Sequence, residues 1–350
     1  MAVSERERTR AHERLETLAA ADLGPEEACR AAIDVLHRAV GFGRWCWPLT
    51  DPASALATSG IAEFDLWPEL PRLAALEEHG DVTRKPRLAL APCASTALSA
   101  ETGGNLARSR RWRECLEPYG IGDELMTVCR DRHGCWGSLE LMRDSGDRPF
   151  DENDARFLDR LSPTLGTLLR RSQRRGWQRE AEPLPPLAPA TLILDADLQP
   201  VSWTAAFREW LAELSPAGML PPAVYELGTR VLTPSEEASG LPASVRLRTQ
   251  LGRLATLEAA PLEGAGTGHV VIGVRSASAD EIFDLLCLTY DLTRRERQLV
   301  AFVLEGLGTK ELAQGLCISP YTVQDHLKSI FGKTGVRSRR ELVSRLAGRA

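Results

Sequence analysis

Three polar side chains near the end of the chain have the types and the spacing needed to read DNA bases. Gln324, Asp325 and Lys328 fall on what we predict to be the polar face of one helix. A glutamine amide pairs with adenine, a carboxylate accepts from the amino group of cytosine, and a lysine reaches guanine or phosphate. The sequence therefore predicts a base-reading surface formed by these three residues.

Four further residues of the same segment are suited to hold phosphates. Thr309, Lys310 and Thr322 fall near predicted helix N-termini, where backbone N–H groups, the helix dipole and a hydroxyl or cation can bind phosphate. Lys333 is predicted as the fourth. The whole chain has a net charge of −5, yet residues 318–350 contain seven Lys or Arg against two Asp or Glu. A basic segment on an acidic chain favours a nucleic-acid partner.

Four short helices are predicted to position these side chains. Their starts and stops are marked by capping residues and glycines: Thr293 with Glu296, Gly306 and Gly308, Thr309 as the cap of a helix over 310–316, Ser319 with Pro320, Gly335, and Ser338 with Glu341. The third helix has one apolar face, formed by Val323, Leu327, Ile330 and Phe331. The tight turn through Cys317-Ile318 before it predicts a helix-turn-helix module.

A set of residues spread over 292–340 matches a known pattern: Leu292-Thr-Arg-Arg-Glu296, Gly306, Lys310-Glu-Leu-Ala313, Ile318-Ser319, Thr322-Val323, His326, Ile330, Lys333, Gly335-Val336 and Arg340. This pattern closely resembles the LuxR-type helix-turn-helix family. The resemblance implies a regulator of transcription that binds specific DNA sequences as a dimer, with RNA polymerase as a further candidate partner. Gln324 stands where the family most often has Lys, and Gly308-Thr309 where Ser-Asn is usual, so the DNA sequence that is read does not follow from it.

The first block, residues 8–175, mixes helices and strands. Residues 26–40 are predicted as a helix, and 125–130 and 136–143 as strands of a hairpin that turns through Asp131-Arg-His-Gly134, with Gly134 where a positive φ is needed. Residues 151–171 are predicted as a long helix. The run from Gly134-Cys-Trp-Gly-Ser-Leu-Glu-Leu141 through Pro149-Phe150-Asp151, Asp154, Leu158 and Leu161-Ser-Pro163 resembles the last hairpin and helix of a GAF sensor domain.

The long helix carries a leucine seam with two interpretations. Leu158, Leu161, Leu165 and Leu168 are spaced by three, four and three residues. Such a seam packs either on its own domain or on the same helix of a second chain, as in a coiled coil. The spacing leaves both interpretations open, because two heptads are too few to decide.

A proline-rich linker and a second sensor-like block follow. Residues 180–189 hold four prolines, so 176–189 is predicted as an extended linker. Within 190–278 we predict strands at 191–194 and 201–203, a helix at 205–214, and strands at 244–249, 254–260 and 270–275; this order resembles a PAS domain. The predicted fold is therefore multidomain: two α+β sensor domains (8–175 and 190–278) and an all-α four-helix helix-turn-helix domain (280–350).

Other chemistry-bearing residues receive plainer interpretations. Cys129 and Cys135 flank the hairpin turn that holds His133, and we favour two reduced thiols over a redox or metal site. Five tryptophans (Trp45, Trp47, Trp67, Trp112 and Trp136) are interpreted as core rather than as a ligand pocket. His326 is interpreted as a hydrogen-bonded structural residue. The histidines are isolated and no hydrolase or nucleotide motif occurs, so no catalytic residue, metal or cofactor is predicted.

Composition excludes several classes of protein. Gly (28) and Pro (22) are too few for a disordered or collagen-like chain. The longest stretches without a charged residue are 13 long, whereas a membrane span needs about 18–20. The charged first residues predict no export signal and hence a cytoplasmic protein. We expect a DNA-binding transcriptional regulator that responds to an unidentified ligand or partner; a ligand-responsive interaction protein with a vestigial DNA module, or an enzyme hidden in the first block, are the alternatives.

Overall fold

Two five-stranded antiparallel sheets with the same strand order, and a group of helices, make up the described chain. The computed structural model describes residues 4–63, 69–78, 80–175, 185–215, 218–234, 240–264 and 268–346. The chain divides into two units, here called the N-terminal unit (Met1–Ser172 with Pro186–Ser276) and the C-terminal unit (Gln173–Pro185 with Ala277–Ala350). Both sheets lie in the N-terminal unit.

The first sheet region begins with two helices and ends with a third. Its elements are α1 (Glu5–Ala20), α2 (Pro25–Val40), β1 (Arg44–Thr50), β2 (Ala57–Ala62), α3 (Leu70–Glu78), α4 (Lys85–Leu90), β3 (Ser95–Ala97), α5 (Leu98–Thr102), short irregular turns at Leu106–Arg108, Trp112–Leu116 and Glu117–Tyr119, β4 (Ile121–Asp131), β5 (Gly134–Asp144) and α6 (Glu152–Ser172). The strand order is β2-β1-β5-β4-β3. The predicted hairpin is β4–β5, and its turn requires a glycine, because Gly134 has a φ of 130° and a Cβ there would lie 2.1 Å from the carbonyl oxygen of Pro52.

The leucine seam of α6 is part of the core of this unit. Leu158, Leu161 and Leu165 are fully buried and Leu168 nearly so, and α6 packs against β4 and α1. The four leucines therefore pack within their own chain, and the interpretation as a coiled-coil dimer seam is wrong. A polar contact supports the same packing, since the Arg8 guanidinium of α1 donates to Asp154 of α6 at 2.5 Å.

The second sheet region repeats the topology of the first. Its elements are β6 (Ala190–Leu194), β7 (Pro200–Trp203), α7 (Ala205–Leu214), α8 (Pro222–Leu232), β8 (Ser244–Arg248), β9 (Leu254–Pro261) and β10 (Val270–Ser276), in the order β7-β6-β10-β9-β8. One sheet face packs on α7 and α8 around Trp210 and Leu227, and this core also takes in Leu56 from the first region. The sequence did not predict α8.

The described part of the C-terminal unit consists of helices joined by short turns. The helices are α9 (Ala279–Thr289), α10 (Arg294–Leu304), α11 (Thr309–Gly315), α12 (Pro320–Thr334) and α13 (Arg339–Leu346). The observed class is thus two α+β sheet regions followed by a helical domain, in which α9 precedes the four predicted helices. None of the described helices is both long and apolar enough to cross a membrane. Most of the predicted linker, residues 176–184, lies outside the described residues, as do Trp67 and His79.

Candidate nucleic-acid interface

Capping residues set the boundaries of the helices that carry the predicted site. Thr293 and Glu296 form the expected box at the start of α10: the Thr293 N–H donates to the Glu296 carboxylate at 2.7 Å, and the Glu296 N–H donates to the Thr293 hydroxyl at 3.2 Å. Ser319 caps α12 by accepting from the Thr322 N–H at 3.1 Å. Gly335 ends α12 with a φ of 69°. These three boundaries are the predicted ones.

The predicted start of α11 was wrong by one residue. Gly308, not Thr309, is the N-cap, and its N–H donates to the Glu311 carboxylate at 2.6 Å. Thr309 is the first helical residue, and its hydroxyl accepts from the Arg339 guanidinium at 3.0 Å. Thr309 therefore ties α11 to α13.

Helix α12 divides into a buried stripe and an exposed one. Val323, Leu327 and Ile330 are buried against the other helices, whereas Phe331 is only half-buried. The predicted base-reading residues Gln324, Asp325 and Lys328 are all exposed. Within the described chain none of the three makes a side-chain hydrogen bond or ion pair, so their polar groups are available to an external ligand.

Lys310 lies close to the start of α12. It is exposed and lines an open groove of about 570 Å³ together with residues of the turn and of both helices: Ala313, Gln314, Cys317, Ile318, Ser319 and Pro320. Lys310 forms no ion pair with any described residue, so the fold places an uncompensated cation beside the N-terminus of α12. Thr322 is half-buried, and its hydroxyl lies 2.9 Å from that of Ser319.

Lys333 occupies a different environment from Lys310. Its ammonium group donates to the Glu296 carboxylate at 2.7 Å and to the backbone oxygen of Asp291 at 2.9 Å. Glu296 is buried and also accepts from the Ser329 hydroxyl at 2.7 Å. Burial raises the pKa of Glu296, but the hydrogen bonds from Lys333, Ser329 and Thr293 outweigh it and hold the pKa below its usual value. Lys333 and Ser329 thus join α12 to α10.

Two arginines for which the sequence predicted no contact also connect the helices. Arg339 donates to the Leu307 carbonyl at 3.2 Å as well as to Thr309. Arg295 donates to the Leu316 carbonyl at the end of α11. The half-buried His326 makes no hydrogen bond within the described chain, so its interpretation as a hydrogen-bonded residue was wrong.

The hairpin cysteines are buried rather than poised for chemistry. Cys129 lies opposite Gly137 and Cys135 opposite Arg130, with an irregular register between the two positions. Both thiols are free, and burial raises the pKa of each. Within the described residues no group of His, Cys, Asp and Glu could hold a metal ion. Of the described tryptophans in the predicted set, Trp45, Trp47 and Trp136 are buried and Trp112 is half-buried.

The N-terminal unit contains a buried charge cluster that the sequence patterns did not reveal. It has six carboxyl groups and three cations, none more than 8% exposed: Glu77, Glu78, Asp81, Glu124, Glu140, Glu226, Lys85, Arg111 and Arg230. Lys85 lies 2.5 Å from Glu77, 3.2 Å from Glu140 and 4.0 Å from Glu226. A sequence signal existed: Glu124 and Glu140 each stand next to leucines in or beside predicted strands.

The cluster joins the two sheet regions. Arg230 of α8 holds the Glu78 carboxylate of α3 with two hydrogen bonds of 2.8 and 2.9 Å. Glu226, also of α8, accepts from the Ala57 N–H at 2.6 Å. Burial raises the pKa of Glu226 to about 7 and that of Glu140 to about 8, although the Lys85 charge opposes both shifts. Burial would lower the pKa of Lys85, but the surrounding carboxylates hold it well above its ordinary value.

Comparison with known proteins matches the C-terminal helices to a family of regulators. Residues 291–346 match the family described as "Bacterial regulatory proteins, luxR family". The spore germination protein GerE of Bacillus subtilis is 38% identical over 55 residues, which are 16% of this chain and 74% of GerE. The monoamine regulon transcriptional regulator of Klebsiella aerogenes is 52% identical over 54 residues, 15% of this chain and 24% of that protein.

A much longer relative matches over a similarly short stretch. A predicted HTH-type transcriptional regulator of Mycobacterium bovis is 47% identical over 58 residues, which are 17% of this chain but only 7% of that protein. This chain therefore spans only a small part of the length of that relative.

Proposed function

Because the chain belongs to the luxR family of bacterial regulatory proteins, we propose that it is a sequence-specific DNA-binding regulator of transcription. Helix α12 enters the major groove of double-stranded DNA. Gln324, Asp325 and Lys328 contact base edges there, while Lys310 and Thr322 hold the phosphate backbone.

The observation that carries this proposal is the division of α12 into two stripes. A helix that reads the major groove needs one apolar face fixed to its own domain and one polar face free to approach the bases. Val323, Leu327 and Ile330 provide the first, and Gln324, Asp325 and Lys328 provide the second.

The remaining predicted phosphate contacts are assigned different weights. Lys310 lies beside the start of α12 and pairs with no carboxylate among the described residues, so it is the principal phosphate contact. Lys333 is neutralised by Glu296, and Thr309 already accepts from Arg339. We assign both to holding the helices together, with any contact to phosphate secondary.

The two sheet regions are proposed as sensors, the first GAF-like and the second PAS-like. Their identical strand order supports treating them as two modules of one class. A ligand or partner that binds this unit would regulate the DNA-binding domain by favouring one of two states. We further propose that the protein acts in the cytoplasm as a homodimer together with RNA polymerase. It catalyses no reaction itself.

Titration of DNA tests the proposed function directly. The full-length protein is titrated with a fluorescent duplex selected from a randomised library, and with a random duplex, at several salt concentrations. We expect tighter binding to the selected duplex and a logarithmic affinity that falls linearly with the logarithm of salt concentration. Equal, salt-independent binding to both duplexes would instead support an interaction protein whose DNA module is vestigial.

A further inference from the structure

Tyr321 is the most exposed large apolar side chain in the described chain. It is 76% exposed, whereas the others in this class, such as Leu251 and Leu90, are 56% exposed or less. Its hydroxyl makes no hydrogen bond within the described residues. An aromatic ring with neither cover nor a hydrogen-bond partner contributes little to the fold, so the packing of the C-terminal unit does not explain it.

The position of Tyr321 in α12 joins it to the exposed stripe. Tyr321, Gln324, Asp325 and Lys328 are separated by three, one and three residues, and residues three, four and seven apart lie on one side of a helix. Tyr321 is the first member of the stripe, directly after Ser319 and Pro320. The N-terminal residues of a helix in the major groove are those that contact base edges.

The polar residues of the exposed stripe provide no apolar contact for thymine, and Tyr321 can supply one. Glutamine suits adenine, aspartate suits cytosine and lysine suits guanine. Thymine presents a methyl group in the major groove, which apolar side chains contact. The ring of Tyr321 is the apolar group of the exposed stripe.

We propose that Tyr321 is a specificity residue that packs its ring against the 5-methyl group of a thymine in the bound DNA. This inference rests on the proposed function, because it takes α12 as the helix in the major groove. The ring, rather than the hydroxyl, makes the contact, so Tyr321→Phe retains the preference for thymine and Tyr321→Ala loses it.

A cycle of protein and DNA substitutions tests the contact. Full-length wild-type protein is used to select duplexes from a randomised library, and each thymine of the selected site is then replaced in turn by uracil, which lacks the methyl group. For wild type and Tyr321→Phe, uracil at one position should weaken binding about four-fold, as expected for one buried methyl group. Tyr321→Ala should bind the thymine and uracil duplexes equally.

The controls separate this inference from the proposed function. Trp203→Ala removes another exposed aromatic ring, outside the C-terminal unit, and should keep the wild-type response to uracil. If Tyr321→Ala still discriminates thymine from uracil, or if no thymine position affects the wild type, the contact is disproved while sequence-specific binding stands. If the wild type selects no sequence over random DNA, the proposed function fails and the contact fails with it.

Discussion

In each of the two units a lysine lies beside buried glutamate, but the glutamate pKa is raised in the N-terminal unit and lowered in the C-terminal unit. In the N-terminal unit Lys85 is shared by Glu77, Glu140 and Glu226. In the C-terminal unit the Glu296 carboxylate accepts hydrogen bonds from Lys333, Ser329 and Thr293. Carboxyls therefore outnumber cations in the first setting, and donors surround one carboxyl in the second.

The protonation of the carboxyls follows from this difference. Burial raises the pKa of Glu140 and Glu226 because one ammonium group does not compensate three desolvated carboxylates. The pKa of Glu296 is lowered because its donors favour the charged form more than burial opposes it. The ratio of donors to carboxylates, rather than the presence of a lysine, therefore decides the charge of a buried glutamate.

Removing a cation from the buried charge cluster should have the largest effect. Arg111 is fully buried and donates to both oxygens of Glu124. Arg111→Ala leaves that carboxylate buried without its partner, so we expect a loss of about 3–5 kcal/mol in the free energy of unfolding, measured by urea denaturation. The matched control is Arg275→Ala, which breaks the exposed pair with Glu258 and should cost about 1 kcal/mol or less. Equal losses would show that the cluster adds nothing beyond a surface pair.

The pH dependence of the two units should have opposite signs. Glu226 has a folded-state pKa of about 7, above its unfolded value of about 4.3. The folded N-terminal unit therefore holds a proton that the unfolded chain releases, and stability falls as pH rises from about 5 to about 7, by up to about 1.4 kcal/mol per pH unit for this carboxyl. Glu140, with a pKa of about 8, extends the same fall to about pH 8.

In the C-terminal unit, Glu296 makes stability depend on pH in the opposite direction. Its lowered pKa contributes stability that is present above the unfolded pKa and lost as pH falls through the folded one. Hydrogen exchange of the full chain, followed by mass spectrometry between about pH 5 and 8 and corrected for the intrinsic exchange rate, should show loss of protection with rising pH around Glu226 and Glu140 but not around Glu296. Glu226→Gln should reduce that loss. A wild-type pH response that Glu226→Gln leaves intact would assign the effect to other groups of the cluster.

The smallest expected effects on stability come from replacing two lysines of the C-terminal unit, and the two replacements should differ in kind. Lys333→Ala removes the cation beside buried Glu296 and should cost about 1–3 kcal/mol of stability. Lys310→Ala removes an exposed charge, so stability should change by less than about 0.5 kcal/mol, while the salt slope of DNA binding falls by about 0.9 because one phosphate is no longer neutralised. The checks are thermal unfolding and fluorescence anisotropy. If the Lys333→Ala protein is as stable as wild type and its DNA binding has a lower salt slope, Lys333 is a phosphate contact and not a structural residue.

The helix boundaries of the C-terminal unit were predictable because caps act locally. Thr293 with Glu296 and Ser319 with Thr322 form hydrogen bonds three residues apart, which spacing alone reveals. The exception has a local cause as well. Gly308, directly before the predicted cap Thr309, takes the cap position instead, and the Glu311 carboxylate accepts from the Gly308 N–H.

The apolar and polar faces of α12 could be predicted from its residue types, because a helix repeats its faces every 3.6 residues. Short apolar runs also predicted the β4–β5 hairpin of the first sheet and all five strands of the second, but not β1, β2 and β3. The sequence did not determine that Leu161 packs within its own unit, that Lys333 meets Glu296, or that Glu226 and Arg230 of α8 lie against α3 and α4. Those polar contacts join residues as far as 37 and 152 positions apart, and only the packing of whole elements brings such residues together. Tertiary structure therefore decided which charges are buried, and with that their protonation and their availability to DNA.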